Sequence, residues 1–458
     1  MKSADLLLKL PVPLQNVAIS LYGLRVKRAR YGKVFRDYSA QLQAHERWTV
    51  AQIEAYQGAC LRDVLTSARA SSPYYRDSLA AHKDLTAVSV RDLPEIADIL
   101  EKPLLRAHAE SFYAALPAGQ TKTIFTSGTT GSPLVVRVSK AALQRNYAFY
   151  ARALGWFGLV PTSRHATFAG RVFLPEEPRD SVYWRSNFGM QQKLFSSYHL
   201  SDTTLPLYLS ELQKWQPEYI DSYPSAIYQL ALHIGPHCIR PKAVLVSSET
   251  LLDYQRAEIE KAFGCPVIDQ YGSAEMVAWA NQCERGSMHL SPEYGVVELV
   301  DARGKAVPNG EIGEMVCTGF VNDAMPLIRY RIGDTAVLSK QTCPCGRHFP
   351  VIEQIVGRTD ALIVTPSGKY IGRMDPVFKG VEHIAGSQII QSRRDALLVK
   401  VIPAVGYAQS DRDKLARQIQ DRVGLDMHVE IVTVDDIPRT KAGKFQSVIS
   451  LLQPGSGA

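Results

Sequence analysis

Thr126-Ser127-Gly128-Thr129-Thr130-Gly131 is a hydroxyl-rich glycine loop set between two strand-like runs, Lys122-Thr123-Ile124-Phe125 before it and Leu134-Val135-Val136-Arg137-Val138 after it. Gly128 and Gly131 permit close backbone approach and dihedrals closed to other residues. Four hydroxyls and successive N–H groups can then surround phosphate oxygens. The loop is not a Walker A sequence, which needs Gly-Lys-Ser/Thr and a helix behind it. Strand–loop–strand order therefore argues against kinase-like or GTPase chemistry. Taken alone, the loop also fits an ordinary polar hairpin.

Two distant segments bear on that choice. Tyr271-Gly272-Ser273-Ala274-Glu275 puts an aromatic ring and a carboxylate on one short turn. Pro438-Arg439-Thr440-Lys441-Ala442-Gly443-Lys444 delivers lysines on a glycine-containing turn near the C-terminus. Between them the chain alternates strands and helices. Arg240 to Val246 reads as a buried strand ending at Ser247-Ser248-Glu249, Leu251 to Phe263 has helical spacing, and Pro266 to Gln270 is a short strand running into Tyr271. Ligand is expected at the carboxyl ends of such strands. Residues 1–115 read as mainly helical, with breaks at Ser71-Ser72-Pro73 and Pro103. After Gly357-Arg358-Thr359-Asp360, a strand at Ala396 to Ile402, a helix at Asp411 to Val423 and a strand at His428 to Val434 outline a small α+β lobe.

With these motifs in this order, the chain resembles the adenylate-forming superfamily of acyl-CoA synthetases, luciferases and nonribosomal-peptide adenylation domains. Within it the resemblance is to phenylacetate-CoA ligase-like proteins, and particularly to the CapK-like branch associated with capsular polysaccharide biosynthesis. It extends over nearly the whole chain, including Tyr31-Gly32, Ser196-Ser197-Tyr198-His199-Leu200-Ser201, Ser222-Tyr223-Pro224-Ser225-Ala226 and Ile371-Gly372-Arg373. The resemblance implies an α/β fold. A large multi-sheet N-terminal adenylate-forming domain would span 1–356, and a small mobile α+β C-terminal domain would span 357–458.

It also implies chemistry. ATP would activate a small carboxylic acid as an acyl-AMP, with pyrophosphate released and the acyl group passed to a thiol, most simply CoA. Alternatives are transfer to a carrier protein or a sugar amine, and a noncatalytic scaffold that only binds ATP. By resemblance Lys444, rather than Lys441, bridges the substrate carboxylate and the α-phosphate. Thr126, Ser127, Gly128, Thr129, Thr130 and Gly131 hold phosphate, Tyr271 with Gly272 and Ser273 faces adenine, and Ser248 and Glu249 line its pocket. Glu275 binds Mg2+, Asp334 takes the ribose hydroxyls, Arg358 contacts ribose or phosphate, and Asp360 is the hinge of the small domain. Phe168, Arg171, Tyr198, Tyr223 and Ser225 fall in the region expected to form the acid pocket. Ser132-Pro133-Leu134 stands where many relatives place a lysine after the glycine loop, so the phosphate grip would rest on hydroxyls and N–H groups. Val364 to Lys369 departs from true phenylacetate-CoA ligases, which argues against phenylacetate as the acid.

Cys283 and His289 flank a Gly286 turn, and Cys343-Pro344-Cys345-Gly346 offers two more thiols. Three thiolates and one imidazole complete a tetrahedral structural Zn2+ site with no open position. The competing account is unconnected reduced cysteines. Cys60, Cys238, Cys265 and Cys317 read as ordinary small apolar residues.

Bulk properties are those of a globular enzyme: 458 residues, 46% hydrophobic, 21% charged. Seven cysteines in so long a chain are no disulfide framework, so a cytoplasmic setting is expected. The apolar start carries Lys9 and then Pro11 and Pro13, with no cleavage pattern. The net charge of +7 is concentrated early, where Arg25, Lys27, Arg28, Arg30, Lys33 and Arg36 have no acidic residue among them. Contact with an anionic membrane or partner fits this run, as does a solvated helix face; the weak apolar face favours the latter. No recognition motif for nucleic acid accompanies it.

Overall fold

The computed structural model describes residues 10–82, 84–125, 134–169, 173–174, 178, 181–197, 199–201, 203–234, 238–358, 363–366, 370–371, 374–378, 381, 383–438 and 446–452. The N-terminal part is helical: α1 (Val12–Arg30), α2 (Lys33–Ala44) and α3 (Val50–Ser71), followed by short helical turns. Thr49 and Gln52 close a reciprocal capping box at the start of α3. The helix stops at the Ser71-Ser72-Pro73 punctuation. Pro103, by contrast, breaks nothing. It sits in the first turn of the helix Lys102–Ala107, where its missing N–H costs no hydrogen bond.

β1 (Thr121–Phe125) and β2 (Val135–Ser139) form an antiparallel hairpin around the glycine loop. Ser139 then caps α4 (Lys140–Gly155) by accepting the Ala142 N–H at 2.9 Å.

A sheet of twelve strands forms the body. Its first half contains β3 (His165–Ala169), β4 (Trp184–Asn187), β5 (Gln192–Ser196), β6 (Tyr219–Ser222), β7 (Ala243–Ser247) and β8 (Val267–Gly272). Strands β5, β3, β6, β7 and β8 run parallel, and β4 closes the edge antiparallel to β5. Helices α5 (Leu205–Trp215), α6 (Pro224–Ala231) and α7 (Asp253–Phe263) connect these strands. In β7, Val244 and Val246 enter one core cluster while Ala243 and Leu245 enter another. The strand is thus apolar on both faces, as a parallel strand covered on both sides must be.

The second half is antiparallel: β9 (Trp279–Gln282), β10 (Met288–Leu290), β11 (Gly295–Val300), β12 (Ile312–Gly319), β13 (Tyr330–Leu338) and β14 (Val351–Arg358). It packs against α2, α3 and α4 in the largest core. Strand β8 joins the halves, parallel to β7 and antiparallel to β9.

Beyond residue 362 a pair of short strands, β15 (Ile363–Val364) and β16 (Tyr370–Ile371), precedes a separate sheet. That sheet has the order β19 (His428–Thr433), β18 (Ala396–Pro403), β17 (Ile384–Arg393), β20 (Val448–Ser450). Helix α8 (Gln409–Val423) buries Leu415, Ile419 and Val423, spaced four apart, in the lobe's own core. The architecture is the expected α/β body with a small α+β lobe.

Candidate active site

A cleft of about 650 Å³ opens where β7 and β8 end. Ser248, Glu249, Tyr271 and Gly272 line one side, Asp334 and Gly357 another, and Met374, Ser387, Gln446 and Ser447 of the small lobe a third. Large body and small lobe therefore both contribute walls.

Tyr271 sits within β8, not on a turn, because the strand continues through Gly272 and pairs Tyr271 with Ala280 and Gly272 with Trp279. A Cβ on Gly272 would lie 3.0 Å from the Trp279 ring, so the strand end is fitted closely to glycine. The Tyr271 hydroxyl donates to Asp334 Oδ2 at 2.6 Å. Strands β8 and β13 are separated in the sheet by β9, β10 and β14. Four flat spacings would be about 19 Å, beyond the reach of a tyrosine and an aspartate, so the antiparallel half curls over and brings the two motifs together. Gly333, at φ +87°, and a register shift after Thr335 bend β13 beside Asp334. Burial, then the neighbouring Asp334 carboxylate, raises the Tyr271 phenol well above its usual range, so it stays a donor.

Glu275 lies on the loop after β8 and is only 5% exposed. Its Oε1 accepts from the Tyr330 hydroxyl at 3.2 Å, and Lys102 Nζ stands 3.8 Å away. Lys102 carries no signal in sequence, and Tyr330 only as the start of the Tyr330-Arg331-Ile332-Gly333-Asp334 stretch, since each is brought to Glu275 only by tertiary packing. Burial, then the Asp334 and Glu275 carboxylates, pushes the nearby Cys317 thiol well up, which makes it inert at neutral pH. The Ser273 hydroxyl is buried with no hydrogen-bond partner among the described residues.

Ser248 adopts φ 73° immediately after β7, and Met276 adopts φ 56° beside Glu275. Left-handed non-glycine residues of this kind concentrate at functional loops. Glu249 Oε2 accepts the backbone N–H of Ser225 at 3.0 Å, which places a carboxylate on the N-terminus of α6. That contact ties the half-buried Tyr223 and the buried Ser225 to the cleft-lining Glu249.

Phe168, expected at the acid pocket, is buried on β3, stacked on Phe195 at 4.8 Å and near Tyr208. Thr126, Ser127, Gly128, Thr129, Thr130, Gly131, Arg171, Tyr198, Asp360 and Lys444 lie outside the described residues. Arg358 ends β14 opposite Asp334 in register, and its side chain is likewise outside the described part.

Apart from the cleft, Cys283, His289, Cys343 and Cys345 converge, all buried, with ligand atoms within 4.8 Å of one another. Cys283 Sγ and Cys343 Sγ are 3.7 Å apart and Cys345 Sγ is 3.3 Å from His289 Nε2. Zinc–sulfur bonds of about 2.3 Å at the tetrahedral angle put two sulfurs about 3.8 Å apart. His289 Nδ1 lies 3.2 Å from the Phe349 carbonyl, which can only accept, so the proton is on Nδ1 and Nε2 presents its lone pair to the cluster. Burial lowers the imidazole pKa, which favours that neutral form. The N–H groups of Arg285, Cys345 and Arg347 donate to sulfurs at 3.4 to 3.5 Å. The donor set fits a closed structural zinc site.

Comparison with known proteins agrees with this architecture. Residues 363–451 match the CapK C-terminal domain family. Protein CapK of Staphylococcus aureus is 25% identical over 459 residues, spanning 96% of this chain and 97% of that protein. A phenylacetate-coenzyme A ligase of Thermus thermophilus is 25% identical over 403 residues, spanning 79% of this chain and 88% of that protein. Among solved structures, 2-hydroxyisobutyryl-CoA ligase in the postadenylation state superposes with a TM-score of 0.73 at 21% identity, over 89% of this chain and 91% of that one. The chain is thus similar over most of its length to CapK and to phenylacetate-coenzyme A ligases, and it shares its fold with a solved CoA ligase.

Proposed function

We propose that this protein activates a small carboxylic acid with ATP. A carboxylate oxygen attacks the α-phosphorus, an O–P bond forms, the bond to the β-phosphate oxygen breaks, and pyrophosphate leaves. A thiol, CoA in the leading account, then attacks the acyl carbon, and AMP leaves with its bonding pair. The observation that carries this reading is the Tyr271–Asp334 hydrogen bond at the cleft. It unites two motifs 63 residues apart on one nucleotide-sized surface.

In this account Tyr271 presents its ring to adenine and Asp334 accepts the ribose hydroxyls, with Arg358 beside it. The Ser273 hydroxyl and the loop of residues 126–131 serve the phosphates. Glu275 holds magnesium, which prefers few carboxylates plus phosphate oxygens. Magnesium would supply charge neutralisation as two anions meet. Lys444 follows the same logic: it neutralises carboxylate and α-phosphate together. Gln446, two residues on, lines the cleft. Asp360 is the hinge between a body ending near residue 356 and the lobe from 357. The cysteine–histidine cluster holds one structural zinc, remote from any chemical step.

The alternative acceptor is a carrier-protein thiol or a sugar amine in place of CoA. Acid-dependent exchange of pyrophosphate into ATP tests adenylation. CoA-dependent release of AMP then separates the acceptors: release with CoA supports the ligase, and release only with a carrier or amine supports the second class.

A further inference from the structure

Helix α1 has its polarity inverted. It covers β4, the edge strand of the large sheet, and does so with polar side chains. The Asn16 Oδ1 accepts the Ser186 N–H at 2.9 Å, the Ser20 Oγ accepts the Phe188 N–H at 3.0 Å, and the Gln15 Oε1 accepts from Arg185 Nε at 2.6 Å. Gly23 lets the helix close onto Asn187, since a Cβ there would collide with that side chain. The Asn16 contact satisfies a backbone N–H of the edge strand and the Ser20 contact one just past its end. They also use up the polar side of the helix against protein.

The opposite side is apolar and open. Leu14 is 52% exposed, Val17 54% and Leu21 64%. Leu14, Val17, Leu21 and Leu24 follow one another at three- and four-residue steps, so they form a single stripe. Arg25 and Arg28 continue that stripe, four residues beyond Leu21 and Leu24, and both are exposed. Isolated exposed leucines need no explanation, but a contiguous stripe marks an interaction surface.

We infer that the outward face of α1 docks this protein on an anionic lipid surface. Charge decides the occupant. From Leu6 to Arg36 there is no acidic residue, while Arg25, Lys27, Arg28, Arg30, Lys33 and Arg36 are all basic. A second copy of the helix would bring like charges together with no carboxylate to pair them, whereas anionic headgroups neutralise them. Leucines enter the acyl boundary and the arginines remain at headgroup level, as in interfacial helices. No helix among the described residues is long and apolar enough to cross a membrane, so the contact lies along the surface.

The test is co-sedimentation of the full chain with vesicles of phosphatidylcholine alone and with phosphatidylglycerol added. The same measurement is made on Leu14→Ser/Val17→Ser/Leu21→Ser and on Arg25→Glu/Arg28→Glu. Thermal melts check that each variant folds, and sedimentation velocity reports self-association. The wild-type chain is expected to bind the anionic vesicles, less at high salt, and each variant to lose partitioning by at least tenfold. Absence of anionic-vesicle binding overturns the inference, as does binding that both folded variants retain. A dimer lost in the serine variant, without vesicle binding, overturns it in favour of a second copy. A stripe that binds neither vesicles nor itself leaves an acidic protein as its partner and equally overturns it.

Discussion

The Tyr271 hydroxyl and Asp334 Oδ2 are 2.6 Å apart across a cleft whose strands are not neighbours in the sheet. The bond fixes the carboxylate that the proposed function assigns to ribose and holds the aromatic ring against the cleft wall. Tyr271→Phe keeps the ring and removes only the restraint. The ATP KM in the exchange reaction should rise roughly fivefold to tenfold, corresponding to one hydrogen bond of about 1 kcal/mol. An unchanged KM would mean that the pair does not orient the nucleotide.

Glu275→Gln keeps the volume and the partner of Tyr330 but removes the charge. Activity should fall on the order of 100-fold, and the magnesium concentration needed for half-activity should rise. Thermal stability should barely move. A variant that keeps the wild-type magnesium dependence would remove Glu275 from the metal's shell and leave it as the partner of Lys102 and Tyr330 alone.

The purified protein should contain one zinc per chain by elemental analysis. Cys345→Ser should lower that content and destabilise the fold by about 3 kcal/mol or more, because a closed site contributes folding energy. Arg347, which bonds both Glu46 and Glu284, ties the cluster to the N-terminal helices, so loosening should spread there. Protein that is fully stable and zinc-free would leave the four residues as reduced thiols and a buried histidine.

Acid stability should depend on Glu293. Burial alone would raise its carboxyl, but Arg152, 2.8 Å away, and the His45 contact outweigh burial and hold it at about 2 against an ordinary 4.5. The folded pKa is therefore depressed. Its stabilisation is present above pH 4.5 and is lost as pH falls toward 2, about 3 kcal/mol in all. Glu293→Gln should be less stable at pH 7 and should show a flatter loss between pH 4.5 and 2 in urea melts. Parallel wild-type and variant curves over that range would show that the pair carries no linked proton.

Local pattern and long-range pairing differ in how far sequence reveals them. β1, β2, β7, α7, α8 and β18 follow from apolar periodicity and turn residues, which are local properties. Tyr271 was legible as a motif residue but not as a strand residue, because its pairing with Ala280 depends on a chain reversal and a second strand, β9, beyond the motif. Phe168 reads the same whether it faces a pocket or a core; only the strands on both sides decide. Lys102 and Tyr330 reach Glu275 through packing alone and leave no trace in spacing. The cysteines and His289 were legible as one candidate group, but with Cys283 and Cys343 60 residues apart only the fold could decide between that group and unconnected thiols. In α1 the apolar positions were visible, yet periodicity does not say which face meets protein. Burying Gln15 and Gly23 turned the weaker-looking face inward.

The most direct test of the central claim is acid-dependent ATP–pyrophosphate exchange. It should be run over a panel of aryl, fatty, hydroxy and amino acids, with Lys444→Ala beside the wild type. Exchange supported by one acid class and lost in the variant is the predicted result. Equal exchange in wild type and variant would contradict the role of Lys444. No exchange with any acid and no ATP binding by calorimetry would contradict adenylation itself.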